Sequence, residues 1–117
     1  MNDPQAIRVL VVDDDKSMRV SLMDLLEAAG FEAEALPRAD HVSERLSSFA
    51  PDVIVSDVRM PGMSGLDLLA SLPAQGTPPL VLISAHGDIP TAVKAMQAGA
   101  YSFVEKTYEP RRLLTIL

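Results

Sequence analysis

Four carboxylates stand directly after apolar runs. Val9-Leu10-Val11-Val12 is followed by Asp13, Asp14 and Asp15, and Val53-Ile54-Val55-Ser56 is followed by Asp57. Acids at the exits of buried strands sit where open α/β sheets place their chemistry, outside the carboxyl ends of the strands. If the two runs are neighbouring strands, Asp13, Asp14 and Asp57 form one anionic cup. Two carboxylates ~4 Å apart repel by roughly 1 kcal/mol in water and several times that in a partly desolvated cleft. A divalent cation removes that penalty. A small set of oxygen ligands with room left for water suits Mg²⁺ better than Ca²⁺ or Zn²⁺. Two further residues fall at strand exits: Ser84 after Leu80–Ile83, and Lys106 just past Ser102–Glu105. A lysine beside a Mg²⁺ site suggests a second anion, most naturally a phosphoryl group, whose oxygens a serine hydroxyl can meet.

The elements that must carry these residues alternate along the chain. Ile7–Val12 is a continuous apolar run broken only by Arg8, as expected for a parallel strand buried on both faces. Ser17–Ala29 carries Met18, Leu22, Leu25, Leu26 and Ala29 at helical spacing and stops at Gly30. Phe31–Leu36 alternates apolar and acidic residues like an edge strand. A second helix is predicted over Arg38–Phe49, and Pro51-Asp52 punctuates before the strand Val53–Ser56. A short helix follows at Leu66–Leu72, a loop at Pro73–Pro79 and a strand at Leu80–Ile83. Thr91–Ala98 reads as a helix with Pro90 near its first turn and Gly99 behind it. Ser102–Glu105 is the last strand, and Pro110 opens a last helix.

Five strand–helix units with apolar strands predict an α/β fold, a parallel sheet covered on both faces. Right-handed crossovers and a flavodoxin-like strand order, 2-1-3-4-5, put strands 1 and 3 at the switch point. Those are the strands that end in acids.

The chain has 117 residues, 48% of them hydrophobic, which fits one domain with a real core. No apolar run reaches the ~18 residues of a membrane span, and the N-terminus lacks the pattern of a signal peptide, so a cytoplasmic protein with no membrane contact is expected. There is no cysteine, which excludes disulfides and thiolate metal sites. A formal net charge of −6 gives no electrostatic footprint for direct nucleic-acid binding. Arg111-Arg112-Leu113-Leu114-Thr115-Ile116-Leu117 stops within an amphipathic pattern, where a helix averages about 11–12 residues. A truncated last helix is therefore expected, with residues 1–117 forming the front of a longer protein.

Together, Val11-Val12-Asp13-Asp14-Asp15, Asp57-Val58-Arg59-Met60-Pro61-Gly62-Met63-Ser64-Gly65, Leu82-Ile83-Ser84-Ala85-His86-Gly87 and Phe103-Val104-Glu105-Lys106 resemble the receiver domain of two-component response regulators, the CheY-like fold. The resemblance covers essentially the whole chain. His86-Gly87-Asp88-Ile89-Pro90-Thr91-Ala92-Val93 and Gly99-Ala100-Tyr101-Ser102-Phe103 look most like the NtrC group, especially its C4-dicarboxylate transport regulators of the DctD type. Regulators of the FixJ type are close competitors.

The resemblance implies roles. Asp57 would accept a phosphoryl group from the phosphohistidine of a sensor histidine kinase. Asp14 and Asp57 would bind Mg²⁺ with the main-chain carbonyl of Arg59, and Asp13 would act mainly through a metal-bound water. Lys106 would pair with Asp57 and then with the phosphoryl group, and Ser84 would donate to a phosphoryl oxygen. Phe103 would be the switch aromatic that follows Ser84 inward. Arg59 and His86 would modulate hydrolysis of the acyl phosphate. The domain would assist its own phosphorylation without being a turnover enzyme. It would signal through helix 4, strand 5 and helix 5, a face for a homodimer carrying Tyr101, to a linked ATPase and DNA-binding output in sigma-54-dependent transcriptional control.

Other readings of single residues stand beside these. Asp15 reads as a helix N-terminal acid, His41 as a surface residue, Met18, Met23 and Met96 as helix packing, and Met60 and Met63 as loop cover. Phe103 can be core as well as switch. Thr107 stands where the family usually has a proline after the lysine, in a bond that is usually cis. A trans rebuild of that loop is expected, with reduced order around Lys106.

The alternatives are a Mg²⁺-dependent phosphatase with a phosphoaspartate intermediate and an interaction module that is never phosphorylated. The first lacks an acid two residues after the nucleophile, where Arg59 stands, and has no room for a cap domain. Nucleotide binding is poor, because neither a Walker loop nor G-x-G-x-x-G occurs.

Overall fold

The computed structural model describes residues 6–58, 60, 62–72, 77–84 and 89–105, without the side chains of Ile89 and Glu105. Its elements are β1 (Arg8–Val12), α1 (Lys16–Ala28), β2 (Glu32–Leu36), a 3₁₀ turn (Ala39–His41), α2 (Val42–Ser48), β3 (Val53–Asp57), α3 (Gly65–Ser71), β4 (Leu80–Ser84), α4 (Ile89–Gln97) and β5 (Ser102–Glu105). The expected last helix from Pro110 lies outside the described residues.

All five strands pair in parallel, in the order β2-β1-β3-β4-β5. The expected CheY-like sheet is thus present. The strands form because their apolar residues can be buried on both faces at once, with alternate side chains going to opposite sides. Leu10, Val12, Ile54, Leu80 and Leu82 face one core with Val42, Phe49, Leu68 and Ala95 from α2, its C-cap, α3 and α4. Val9, Val11, Val53, Val55, Val81, Ile83 and Val104 face the other core, with Leu22 and Leu26 of α1.

Arg8, the polar break in the first apolar run, stands at the base of the sheet. Its N–H donates to Asp52 Oδ2 at 2.8 Å and its Nη1 to the Phe49 carbonyl at 2.9 Å, and its Nε lies 3.4 Å from Glu32. One side chain therefore ties β1 to β2 and to the turn before β3, at the end opposite the acids.

Most predicted bounds hold to within a residue or two. The largest difference is α2, predicted as one helix over Arg38–Phe49. Its first turn is 3₁₀, and the α-helix begins only at Val42. Arg38 occupies the N-cap of that turn without a side-chain capping bond, so the entry lacks the acceptor that would open a regular α-helix. Met96 is half exposed, so it does not pack as expected, whereas Met18, Met60 and Met63 do border the cores.

Candidate functional site

Register brings the acids together. Val12 pairs with Ser56 across β1 and β3, so Asp13 and Asp57 are the next residues on adjacent strands. Asp57 is itself still in the ladder, paired with Ile83, and the Val58 N–H donates to the Ile83 carbonyl at 3.0 Å. Asp57 is thus the last residue of β3, one position further into the strand than predicted. It is 5% exposed and Asp13 is 1% exposed, while Asp14 faces solvent.

One carboxylate oxygen from each of Asp13, Asp14 and Asp57 lies within 4.8 Å of the others. Three oxygen donors on one side, with an exposed third ligand that leaves room for water, fit a small hard dication such as Mg²⁺. The chain has no cysteine, and among the described residues no histidine, which would favour a softer ion, joins this cluster.

The turn that carries Asp13 and Asp14 is tightly made. The Asp13 N–H donates to the Leu36 carbonyl at 3.1 Å, continuing the β1–β2 ladder by one bond. Asp13 Oδ1 accepts the Asp15 N–H at 2.9 Å, and the Asp13 carbonyl accepts Arg19 Nη1 at 2.9 Å. Asp15 is the N-cap of α1, its carboxylate accepting the Ser17 N–H at 2.9 Å. That is the helix N-terminal role expected for it. The three consecutive acids therefore divide: Asp13 is buried at the strand end, Asp14 points outward to the cup, and Asp15 caps.

Behind Asp57, Ser56 Oγ donates to the Asp57 carbonyl at 2.9 Å. Gly65, the first residue of α3, donates its N–H to the Val58 carbonyl at 2.8 Å. Ser64 and Asp67 close a capping box over that helix start, each side chain accepting the other's backbone N–H at 3.1 Å. Helical periodicity alone does not reveal this box or the seat of Gly65, although Ser-x-x-Asp before Leu68 and Leu69 is the sequence signal for the box.

Ser84 is buried at the end of β4, paired with Glu105 of β5, so it reaches the same rim. Phe103 is half-buried and packs on the core beneath α2–α4. Tyr101 is exposed, as are Val93 and Met96 of α4. His41 is exposed, 3.9 Å from Glu44. Arg59, His86, Lys106 and Thr107, to which roles or an altered loop were assigned, lie outside the described residues. No helix of the described residues is long and apolar enough to cross a membrane.

The family model for the response regulator receiver domain matches residues 9–117. The chain is 42% identical over 110 residues to the transcriptional regulatory protein FixJ of Bradyrhizobium diazoefficiens, covering 93% of this chain and 54% of that protein. It is 42% identical over 108 residues to the C4-dicarboxylate transport transcriptional regulatory protein DctD of Pseudomonas aeruginosa, covering 92% of this chain and 23% of that one. The chain therefore spans about half of the first relative and a quarter of the second. The crystal structure of FixJ-N superposes with a TM-score of 0.87 at 36% identity, covering 99% of this chain and 91% of that one. Sheet order, acid placement and these likenesses agree: the chain belongs to the receiver domain family of two-component response regulators.

Proposed function

We propose that this receiver is a phosphorylation-controlled switch, with Asp57 as the phosphoacceptor. The observation that carries the reading is the convergence of Asp13, Asp14 and Asp57 at the exit of β1 and β3. An oxygen of the Asp57 carboxylate attacks the phosphorus of a phosphohistidine on a sensor histidine kinase. The phosphorus–nitrogen bond breaks as the new phosphorus–oxygen bond forms, and the imidazole leaves. Phosphoryl transfer needs positioning and charge neutralisation more than covalent help. Asp14, Asp57 and the Arg59 carbonyl would hold Mg²⁺, with Asp13 acting through water, and the ion would supply positive charge for the transferring oxygens.

The burial of Asp57 on a strand end fixes the direction of its attack. Lys106 pairs with the phosphoryl group and Ser84 donates its hydroxyl to one of its oxygens. Ser84 can follow the new acceptor only by moving the end of β4, and Phe103, two residues before Glu105 in the neighbouring strand, fills the space given up. Such a local charge change biases a two-state element. Arg59 and His86 set how fast water reaches the acyl phosphate.

The output leaves through α4 and β5, where Val93 and Met96 of α4 and Tyr101, just before β5, are exposed and offer apolar surface to a second copy or a linked domain. The relatives' names and lengths support a chain that is one part of a longer transcriptional regulator. The output we propose is a sigma-54-interacting ATPase with a DNA-binding domain, as the resemblance of residues 86–93 and 99–103 to the NtrC group implies.

The test is intact mass after incubation with acetyl phosphate and Mg²⁺. Wild type gains one phosphoryl group and Asp57→Ala gains none. An unmodified wild type would leave the unphosphorylated interaction module as the better reading, and turnover of small phosphoesters lost in Asp57→Asn would favour the phosphatase.

A further inference from the structure

Arg19 has no part in that scheme, yet it touches the turn that carries two of the three acids. Its Nη1 donates to the main-chain carbonyl of Asp13 at 2.9 Å, and the side chain is half-buried. The carbonyl of Asp13 and the N–H of Asp14 belong to one rigid peptide plane. Holding the carbonyl therefore fixes the plane from which the Asp14 side chain departs. Among the described residues nothing hydrogen-bonds the Asp14 carboxylate, so its position depends on its backbone. The donor itself is firmly mounted. The Arg19 N–H bonds the Asp15 carbonyl at 3.0 Å in the first turn of α1, and Asp15 caps that turn.

The guanidinium has two opposite effects on a dication at the acids. As a positive charge it repels the ion. As a donor it keeps two mutually repelling ligands in place before the ion arrives. The charge sits on a half-exposed side chain, where water screens it. The bond it makes is to a neutral carbonyl, so its geometric effect is not screened. Removing a group that orients a metal ligand typically costs about 10–100-fold in metal affinity.

We propose that Arg19 is a positioning residue for the cation site, holding the Asp13–Asp14 peptide so that Asp14 meets Mg²⁺ together with Asp57. The proposal rests on the receiver reading of the acids. Its test is calorimetric titration of the full chain with MgCl₂, alongside phosphorylation by acetyl phosphate at saturating Mg²⁺. Arg19→Met keeps the stem and removes the donor, and should weaken Mg²⁺ binding about tenfold, the lower end of what orienting groups contribute. Arg19→Lys keeps a donor of similar reach and should stay within about threefold of wild type. At saturating Mg²⁺ both variants should be phosphorylated at close to the wild-type rate.

Arg19→Met binding Mg²⁺ as tightly as wild type, or more tightly, overturns the proposal, because charge repulsion would then outweigh positioning. Arg19→Gln repeats the comparison should the Met variant not fold, with the same two outcomes. If wild type itself binds no Mg²⁺, the receiver reading of the acids fails and the proposal with it. If wild type binds Mg²⁺ and is phosphorylated while Arg19→Met is unchanged, only the role of Arg19 fails.

Discussion

Gly65 leaves no room for a side chain beside the proposed phosphoacceptor. A Cβ there would lie 2.5 Å from the Asp57 carbonyl oxygen, 2.8 Å from Leu82 Cδ2 and 3.0 Å from Val58 Cα. Two of those neighbours are backbone, and both are tied down: Ser56 Oγ bonds the Asp57 carbonyl, and Gly65 itself bonds that of Val58. Gly65→Ala must therefore push α3 away or turn the end of β3. Overpacking of this kind costs about 1–3 kcal/mol, measurable by urea unfolding. Phosphorylation of Asp57 by acetyl phosphate should slow in the same variant even at saturating Mg²⁺, because the strand end is what aims the carboxylate. An unchanged rate would show that the backbone of Asp57 yields without moving its side chain. At this scale the sequence was legible where chemistry and position coincide. Asp57 and Asp13 follow apolar runs, so strand exits could be read from them. Gly65 looked like one more turn residue, because a close backbone approach leaves no mark on residue type beyond the absence of a side chain.

Elements were legible wherever burial dictates them. The apolar runs of β1, β3 and β4 fixed three strands, since a residue run buried on both faces has few alternatives to a parallel sheet. Their ends were less legible. Asp57 and Ser84 are polar, so the apolar pattern stops before them, but the ladder continues through the pairs Asp57–Ile83 and Ser84–Glu105. Helix starts depended on side-chain acceptors that periodicity ignores. Asp15 caps α1, which starts at Lys16, one residue before the predicted Ser17, and Ser64 with Asp67 starts α3 at Gly65. The second cap bears on the site, because α3 begins against Asp57. Ser64→Ala removes the acceptor for the Asp67 N–H and should cost about 1 kcal/mol. Chemical denaturation of Ser64→Ala against Ser64→Asp, which retains a capping acceptor, checks this. Equal losses in the two variants would mean that the hydroxyl's bond contributes nothing to α3.

The topology of the whole molecule places its acids at a disadvantage that a bound cation relieves. With β1 and β3 adjacent, three carboxylates crowd one rim of a chain that already carries a net charge of −6. The strand order was legible because right-handed crossovers leave few ways to lay out five strand–helix units. The energetic consequence follows from that order. Asp14 is the exposed member of the three and can be neutralised without opening a buried hole. In Mg²⁺-free buffer, Asp14→Asn removes repulsion on the order of 1 kcal/mol, so it should unfold at a higher urea concentration than wild type. Added Mg²⁺ acts the other way. A ligand that binds only the folded state stabilises by about 2.7 kcal/mol at a hundred times its dissociation constant, and wild type should gain that amount while Asp14→Asn gains little. The order of the two unfolding midpoints should then invert as Mg²⁺ is raised. Wild type more stable than Asp14→Asn at every Mg²⁺ concentration, including none, would mean that Asp14 stabilises the fold by itself and that the rim is not strained. An Asp14→Asn variant more stable throughout, with no Mg²⁺ response in either protein, would mean that the rim is strained but holds no dication. The inversion alone requires both that the acids repel and that the ion they share relieves them.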